Sequence, residues 1–196
     1  MNITFDEAFK AYAGGAVFIA FDLETTGLDP RQDKIAEIGA VKFDKLGLIA
    51  RFSTLINPGI PMPAEAERVN KISDEMLRDK PSLDEVLPDF LRFINGAIIV
   101  AHNAPFDCGF INAKLGEFHG ESLTRSNSEG PMGFTSLPNP IADTLTFSRE
   151  IFPALRSHSL QNLAAELGIT VQSAHRAEDD ALLCIEIFLR CAKSLT

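Results

Sequence analysis

Two short, continuous apolar segments mark the centre of the predicted fold. Residues 17–21 read VFIAF and residues 97–101 read AIIVA, and such runs are typical of strands buried on both faces. Between them, residues 35–43 and 48–56 alternate apolar and polar side chains on either side of a turn at Gly47. This alternation predicts two further strands. With the first apolar segment they form an antiparallel meander, and the second apolar segment adds a parallel strand.

Helical periodicity occupies most of the remaining chain. Ser82 caps an amphipathic helix that ends at Gly96, and Pro105 suits the first turn of the helix that follows the second apolar strand. The order βββαβαβαα predicts an α/β fold, a mixed five-stranded sheet in which three antiparallel strands precede parallel strands, with helices on both faces. The other predicted helices follow Thr4, lie within residues 64–80, follow a short strand near residues 140–143, follow Ser159, and run from about Ala177 to Ser194.

The length and composition suit one domain. The chain has 196 residues, of which 45% are hydrophobic and 23% charged, and this is enough for one well-filled core. Residues 116–140 are rich in Gly, Ser, Asn and Pro, and the segment is too long for an ordinary connection. We therefore expect a single domain over residues 1–196 with a mobile insertion at residues 116–140.

Charge and cysteine content narrow the class of protein. The net charge of −9 argues against a protein that coats nucleic acid with a broad basic surface. It permits an enzyme that grips one strand end through metal ions and a few basic groups. No segment approaches the roughly 18 apolar residues of a membrane span, and the N-terminal residues do not resemble a signal peptide. The three cysteines, Cys108, Cys184 and Cys191, lack CxxC spacing, so we expect buried thiols in a reducing, cytoplasmic setting and no cysteine nucleophile.

Two acids follow the first apolar strand. Because side chains alternate along a strand, Asp22 and Glu24 project to the same side of its carboxyl end, where like charges repel. Carboxylate oxygens are the ligands that Mg²⁺ and Mn²⁺ prefer, and the TTG turn that follows lets backbone approach a ligand closely. The alternative is that one acid caps a turn or pairs with an arginine while the other is solvated. The position at a strand end favours a metal site.

More acids lie where a sheet of this kind builds its site, beyond the carboxyl ends of neighbouring strands. Asp107 and Asp143 each lie near a helix start, and for both the alternative is an acid that stabilises the helix dipole. At the last helix, adjacent residues point about 100° apart, so only one of Asp179 and Asp180 can face the site. Asp180 lies on the face that becomes apolar, and we assign it to the site. His175 precedes these acids and is a candidate general base.

Three motifs now carry a family resemblance over almost the whole chain. FDLETTG, HNAPFD and HRAEDD, in this order, resemble the three motifs of DEDDh 3'-5' exonucleases, most closely those of the proofreading epsilon-subunit type of bacterial DNA polymerase III. The resemblance implies a ribonuclease H-like fold and two-metal hydrolysis, with Mg²⁺ or Mn²⁺, of single-stranded DNA from its 3' end to nucleoside 5'-monophosphates. The catalytic set it implies is His175 with the metal ligands Asp22, Glu24, Asp107 and Asp180, and the groups implied around the terminal nucleotide are Thr25, Thr26, Gly27, Glu65, Asn70 and Ile72.

The chain departs from the family pattern, and other functions stay open. Asn70 and Lys71 stand where many epsilon-like sequences have His and Gly. The DEDDy group has a tyrosine where this chain has His175, and is excluded. A 3'-5' exoribonuclease of the same family, or a non-catalytic module that binds nucleic acid or a polymerase, is an alternative. An aspartyl-phosphate phosphatase is a poorer match, because Glu24 stands where that class needs a second aspartate. The expected partners are a single-stranded 3' end and a DNA polymerase subunit.

Overall fold

The computed structural model describes residues 1–124, 135–170 and 176–194, with backbone alone for residues 118–124. Within these ranges the chain forms one mixed sheet with the strand order β3-β2-β1-β4-β5. The strands are β1 (Phe18–Thr25), β2 (Ile35–Asp44), β3 (Gly47–Leu55), β4 (Ile98–Ala101) and β5 (Ile141–Asp143). The helices are α1 (Phe5–Ala13), α2 (Ala64–Asn70), α3 (Asp74–Leu77), α4 (Leu83–Ile94), α5 (Ala104–Thr124), α6 (Thr144–Ile151), α7 (Leu160–Glu166) and α8 (Ala177–Lys193).

The strand pairing confirms the predicted topology. Strand β1 lies at the centre, antiparallel to β2 and parallel to β4. Strand β3 pairs antiparallel with β2, and β5 pairs parallel with β4. The carboxyl ends of β1, β4 and β5 therefore meet at one edge of the sheet, which is where a mixed sheet places its ligands.

Helices cover both faces of the sheet, as the apolar strands require. On one face, Phe21 and Ile99 are fully buried against α4 and α5, with Phe90 stacked edge-on to Phe21. On the other face, Phe18 and Phe43 pack against α1 and α8 around Phe188. The predicted α/β sheet with helices on both sides is thus confirmed.

Helix starts follow from local sequence. Thr4 and Glu7 form a reciprocal capping box at α1, and Ser82 and Glu85 form another at α4. Each box satisfies backbone N–H groups that have no partner within the helix. Ser159, which precedes α7 as its N-cap residue, makes no side-chain cap.

The segment predicted as a mobile insertion, residues 116–140, is helical in its first part. Helix α5 continues to Thr124, and Leu137 and Asn139 are buried. Asn112 Oδ1 accepts the Leu137 N–H at 2.8 Å, and the Asn139 side chain donates to backbone carbonyls at the end of α4. The glycine and serine content of this segment gives no helical signal, although the earlier part of the same helix packs against the sheet. Residues 125–134 of the predicted insertion lie outside the described residues.

Across the parts of the chain that the structure describes, every helix is too short or too polar to span a bilayer. All three cysteines are free and buried, which confirms the expectation of buried thiols. Burial raises the pKa of the Cys108 and Cys191 thiols to about 12, so both stay protonated and neither is a nucleophile.

Candidate functional site

Three carboxylates converge at the carboxyl end of the central strand. Asp22 and Glu24 lie on β1, and Asp180 lies in the first turn of α8. Among the described residues, these three each offer an oxygen such that all three atoms lie within 4.8 Å of one another. Asp180 is 5% exposed, and the other two are partly buried. The structure thus brings together the two acids of the strand end and the one acid of the last helix that we had assigned to the site.

Helix α8 reaches the sheet because β2 leaves room for its first turn. A Cβ at Gly39 would lie 2.1 Å from the Glu178 nitrogen and 2.2 Å from the Ala177 carbonyl carbon, so only glycine fits there. Gly39 pairs with Asp22 across β1 and β2. The close approach at this point therefore delivers Asp180 to the side of the sheet where Asp22 lies.

A buried ion pair fixes the same helix start. Arg176 donates to both oxygens of Glu37, with its terminal nitrogen 2.6 Å from Oε1, and the Ala177 N–H donates to Oε2 at 3.2 Å. Glu37 is 2% exposed. This pair was not predicted from the sequence, although a charged residue in the otherwise apolar strand IAEIGAV is a signal that it needs a partner.

Asp107 lies beside the cluster without joining it. It is 2% exposed, and its Oδ1 accepts the backbone N–H of Leu23 at 3.1 Å. Leu23 separates Asp22 from Glu24 in the sequence, so this bond ties the start of α5 to the strand end that carries both acids. Of the four predicted metal ligands, Asp107 is the one that the structure places next to the carboxylate cluster and outside it.

Burial and mutual repulsion raise the pKa values of these carboxyls. At Asp22 burial is the main cause, and the charges of Asp107, Asp180 and Glu24 add to it, so its pKa lies well above the usual range. Burial, followed by the charge of Asp180, raises the pKa of Glu24 to about 8. Arg176 opposes the shift at Glu24 and does not cancel it. Burial likewise raises the pKa of Asp107 to about 8.

The electrostatics fit a cation site. Several acids held in a low-dielectric site repel one another, and this repulsion is relieved either by protons or by a bound cation. The donors are carboxylate oxygens, which suit Mg²⁺ and Mn²⁺. Asp22, Glu24 and Asp180 therefore have the chemistry and the spacing to hold a divalent cation, and Asp107 is near enough to raise the pKa of Asp22.

Gln161 orients one of the three acids. Its Nε2 donates to Asp180 Oδ1 at 2.8 Å, from the first turn of α7. A hydrogen bond from outside a ligand set fixes the direction in which a carboxylate presents its other lone pairs. The sequence analysis missed Gln161, because nothing in the local pattern of α7 distinguishes it from a solvated glutamine.

Two side chains brace the edge beside β4. His102 Nε2 donates to the carbonyl of His158 at 2.8 Å, and Nδ1 lies 3.0 Å from Thr144 Oγ1. Asp143 Oδ1 accepts N–H groups of Asn103, Ala104 and Leu145. Asp143 thus caps the starts of both α5 and α6. This confirms the alternative that this acid stabilises a helix start. His102 thus stabilises the turn after β4.

The TTG turn is closed by its own hydrogen bonds. The Thr26 N–H donates to the Lys34 carbonyl at 2.8 Å, and the Thr26 hydroxyl accepts the Lys34 N–H at 2.9 Å. Thr25 Oγ1 donates to the Gly27 carbonyl at 2.6 Å. A Cβ at Gly27 would lie 2.4 Å from the carboxyl group of Asp33. The turn is therefore rigid, and the Thr26 amide is already occupied.

The other residues that the resemblance placed near a terminal nucleotide differ in exposure. Asn70 is 2% exposed, its side-chain nitrogen lies 3.4 Å from the Thr25 carbonyl, and its Oδ1 accepts the Ile72 N–H. Ile72 is fully buried, whereas Glu65 is exposed on α2 and pairs with Arg68. Lys71 adopts a left-handed conformation (φ 60°) at the end of α2, a position that glycine occupies without steric cost. His175 lies outside the described residues.

Comparison with known proteins identifies the family. The family described as exonuclease (RNase_T) matches residues 19–188. The chain is 47% identical over 173 residues to the DNA polymerase III subunit epsilon of Treponema pallidum, a match that covers 87% of this chain and 74% of that protein. It is 38% identical over 170 residues to the DNA polymerase III PolC-type of Clostridium perfringens, covering 87% of this chain and 11% of that much longer protein.

A solved structure supports the fold. The chain superimposes on exonuclease X, determined in complex with 5' overhanging duplex DNA, with a TM-score of 0.63 and 24% identity over 89% of this chain and 92% of that one. The mixed sheet with its helices is thus the ribonuclease H-like fold that the three motifs implied. The family match, the epsilon relative and the carboxylate cluster on β1 and α8 together confirm the resemblance, and the chain belongs to the exonuclease (RNase_T) family, as a relative of the epsilon subunit of DNA polymerase III.

Proposed function

We propose that this protein is a metal-dependent 3'-5' exonuclease that removes nucleoside 5'-monophosphates from the 3' end of single-stranded DNA. The observation that carries the proposal is the cluster of Asp22, Glu24 and Asp180, whose oxygens lie within 4.8 Å of one another in a chain of the exonuclease family. Repelling carboxylates at a strand end are costly for a fold. A site that retains them despite this cost is suited to cations and, through them, to the phosphate of a nucleic acid.

The proposed ligands of two divalent cations, Mg²⁺ or Mn²⁺, are Asp22, Glu24, Asp107 and Asp180. When bound, such cations neutralise the phosphate charge, activate water and stabilise the leaving oxygen. Leu23 and Gln161 hold the carboxylates of Asp107 and Asp180 by hydrogen bonds. Preorganised ligands of this kind do not need to rearrange when the phosphate arrives.

His175 is the proposed general base, on the strength of its place in the HRAEDD motif. It is the residue before Arg176, the N-cap of α8, and five positions before Asp180. A histidine with an ordinary pKa accepts a proton from the attacking water near neutral pH. Such assistance is typically worth ~10²–10⁴-fold in rate.

The TTG turn is the proposed wall for the 3'-terminal nucleotide. Thr25, Thr26 and Gly27 follow the two acids of β1 directly, and the internal bonds of the turn hold it rigid. Buried Asn70 supports the turn through the contact of its side-chain nitrogen with the Thr25 carbonyl. Ile72 orients Asn70 through its backbone N–H, which donates to the Asn70 side chain. Glu65 is exposed and is the residue of this set proposed to contact the nucleotide directly.

DNA is the proposed substrate class, and a replicative polymerase the proposed partner. The epsilon subunit and PolC relatives are named as parts of DNA polymerase III, and exonuclease X is named with duplex DNA. A protein that serves DNA replication in a bacterium belongs in the cytoplasm. Distinguishing RNA from DNA would require contacts to the 2'-hydroxyl, or its steric exclusion.

The experiment compares 5'-labelled single-stranded DNA and its RNA equivalent, each incubated with Mg²⁺, Mn²⁺ or a chelator and resolved by length. We expect a ladder that shortens from the 3' end of DNA only when a divalent cation is present. The released product should co-migrate with a nucleoside 5'-monophosphate.

Three outcomes would contradict the proposal. Degradation in excess chelator would remove the cations from the reaction, and shortening from the 5' end would reverse the polarity. Faster hydrolysis of RNA would favour the exoribonuclease. The Asp22→Asn variant, purified in the same way, is the control for contaminating nucleases.

A further inference from the structure

An open cleft of about 790 Å³ lies beside the carboxylate site, on the side of β4 and β5. The turn after β4 forms one wall with His102 and Asn103, and the segment before α7 forms another with Ser157 and Ser159. Helix α6 supplies Leu145 and Arg149, and the loop after it supplies Arg156. Of these residues, His102, Asn103 and Leu145 take part in the bracing described above, and the two arginines and the two serines have had no role so far.

The walls of the cleft are continuous with the carboxylate site. The turn at Asn103 runs directly into α5, whose first turn carries Asp107. The segment of the other wall runs into α7, where Gln161 donates to Asp180. The bond from His102 to the His158 carbonyl ties the two walls together. Both walls of the cleft therefore lead, along the chain, into elements that carry or contact a carboxylate of the site.

The cleft is cationic in a protein of net charge −9. Arg149 and Arg156 are both exposed, and within the described ranges neither forms an ion pair with an acid. The carboxylate of Asp143, at the start of α6, is occupied by backbone N–H groups. The positive charge of both guanidinium groups is therefore available to a ligand.

We propose that this cleft, which we call the Arg149–Arg156 cleft, binds the phosphodiester backbone of the substrate strand upstream of its 3' end. Guanidinium groups match phosphate oxygens in geometry and charge, and the neighbouring Ser157 and Ser159 hydroxyls are further donors. Contacts to phosphate carry no base preference, as an enzyme that shortens any sequence requires. The inference rests on the proposed function, because it assigns the path of the same substrate.

The test uses Arg149→Gln, Arg156→Gln and the double variant, with Arg190→Gln as matched control. Arg190 is an exposed arginine at the far end of α8, ten residues or about 15 Å along the helix from Asp180. Turnover and KM are measured on a long single strand and on a dinucleotide over a range of salt concentrations. Binding of the long strand is measured separately by fluorescence anisotropy with Ca²⁺ in place of the catalytic cation.

The double variant should raise KM and Kd for the long strand roughly tenfold at unchanged kcat. Its plot of log Kd against log salt should be shallower by about 1.4, because each lost phosphate contact on a single strand changes the slope by about 0.7. The dinucleotide, whose one phosphodiester is the scissile one and which has no phosphate upstream of it, should be cleaved as by the wild type. Arg190→Gln should behave as the wild type in every assay.

The inference is overturned if the double variant binds the long strand like Arg190→Gln. It is also overturned if only duplex substrates lose affinity, since the cleft would then hold the complementary strand. A wild type without metal-dependent nuclease activity would contradict the proposed function, whereas the anisotropy arm would still measure the cleft.

Discussion

Two glutamates on neighbouring strands have opposite surroundings. Glu24 on β1 and Glu37 on β2 lie directly opposite each other in the antiparallel register, where like charges destabilise a sheet. Glu37 is enclosed by the Arg176 guanidinium and the Ala177 N–H. Glu24 faces Asp180, and its pKa is raised to about 8. Glu37 is therefore paired with a cation and a backbone donor, whereas the nearest charge that shifts Glu24 is another acid.

The difference separates a structural acid from a proposed metal ligand. The Glu37 pair secures the start of α8, and so determines where Asp180 lies. Glu24, Asp22 and Asp180 then face one another with their charges only partly offset, which costs stability in the absence of a cation. The buried acid Glu37 therefore holds the other three acids close together. Their mutual repulsion is relieved when they bind a cation or protons.

The largest expected effect is on turnover, and two adjacent aspartates measure it. Asp180→Asn should lower kcat about 10³-fold, because several kcal/mol of transition-state stabilisation by the cations depend on this carboxylate. Asp179→Asn removes the same charge one position earlier and should stay near wild-type activity. Steady-state rates on single-stranded DNA give the comparison. Equal loss in both variants would show that the first turn of α8 acts only through its total charge.

The next effect concerns cation binding. Mn²⁺ at a hundredfold excess over its Kd should stabilise the folded protein by about 2.7 kcal/mol. Asp22→Asn should be more stable than the wild type in chelator and should lose the response to Mn²⁺, because the substitution removes one of the repelling charges and one ligand. Thermal melts with and without Mn²⁺ measure both. A variant that gains as much from Mn²⁺ as the wild type would remove Asp22 from the ligand set.

The pH dependence of stability tests the same repulsion. A carboxyl group whose pKa rises on folding favours the folded state at low pH, and this contribution is lost as pH rises from the unfolded toward the folded value. For Glu24 the window runs from 4.5 to about 8, and Asp107 acts in the same direction. In chelator, the free energy of unfolding should fall by several kcal/mol across this window, at about 1.4 kcal/mol for each pKa unit. Urea titrations at several pH values measure it, and a rise of stability over this range would contradict the assignment.

The smallest effect compares the two glutamates themselves. Glu37→Gln should lower the free energy of unfolding of the cation-free protein by about 1–2 kcal/mol, because Arg176 loses a charged, buried hydrogen-bond partner. The cost is moderated because the Arg176 side chain is 40% exposed. Glu24→Gln should instead raise it at neutral pH. Urea unfolding of both variants in chelator measures the two changes in the free energy of unfolding. Changes of the same sign would contradict the contrast between Glu37 and Glu24.

Much of the fold was predictable because its signals are local. The run VFIAF, the alternation through residues 35–43 and the helix after Ser82 each depend on the period at which apolar residues recur. The continuation of α5 through residues 116–124 was not predicted, because the glycine and serine content of this segment hides a helix that propagates from residues already helical. The burial of Asn139 was not predicted either. Its side chain donates to two carbonyl groups, one at the end of α4 and one just after it, that are far away in the sequence.

The sequence by itself determined the order of the elements, the family resemblance, and the acids that end β1 and begin α8. Only the tertiary structure decided which of these acids meet, that Asp107 bonds to Leu23 and lies outside the three-carboxylate cluster, and that Gln161 orients Asp180. It alone revealed the pair of Glu37 and Arg176, which are 139 positions apart. The physical reason is that hydrophobic periodicity acts between near neighbours along the chain, whereas a hydrogen bond or an ion pair depends on the register and the close approach of elements that the sequence separates.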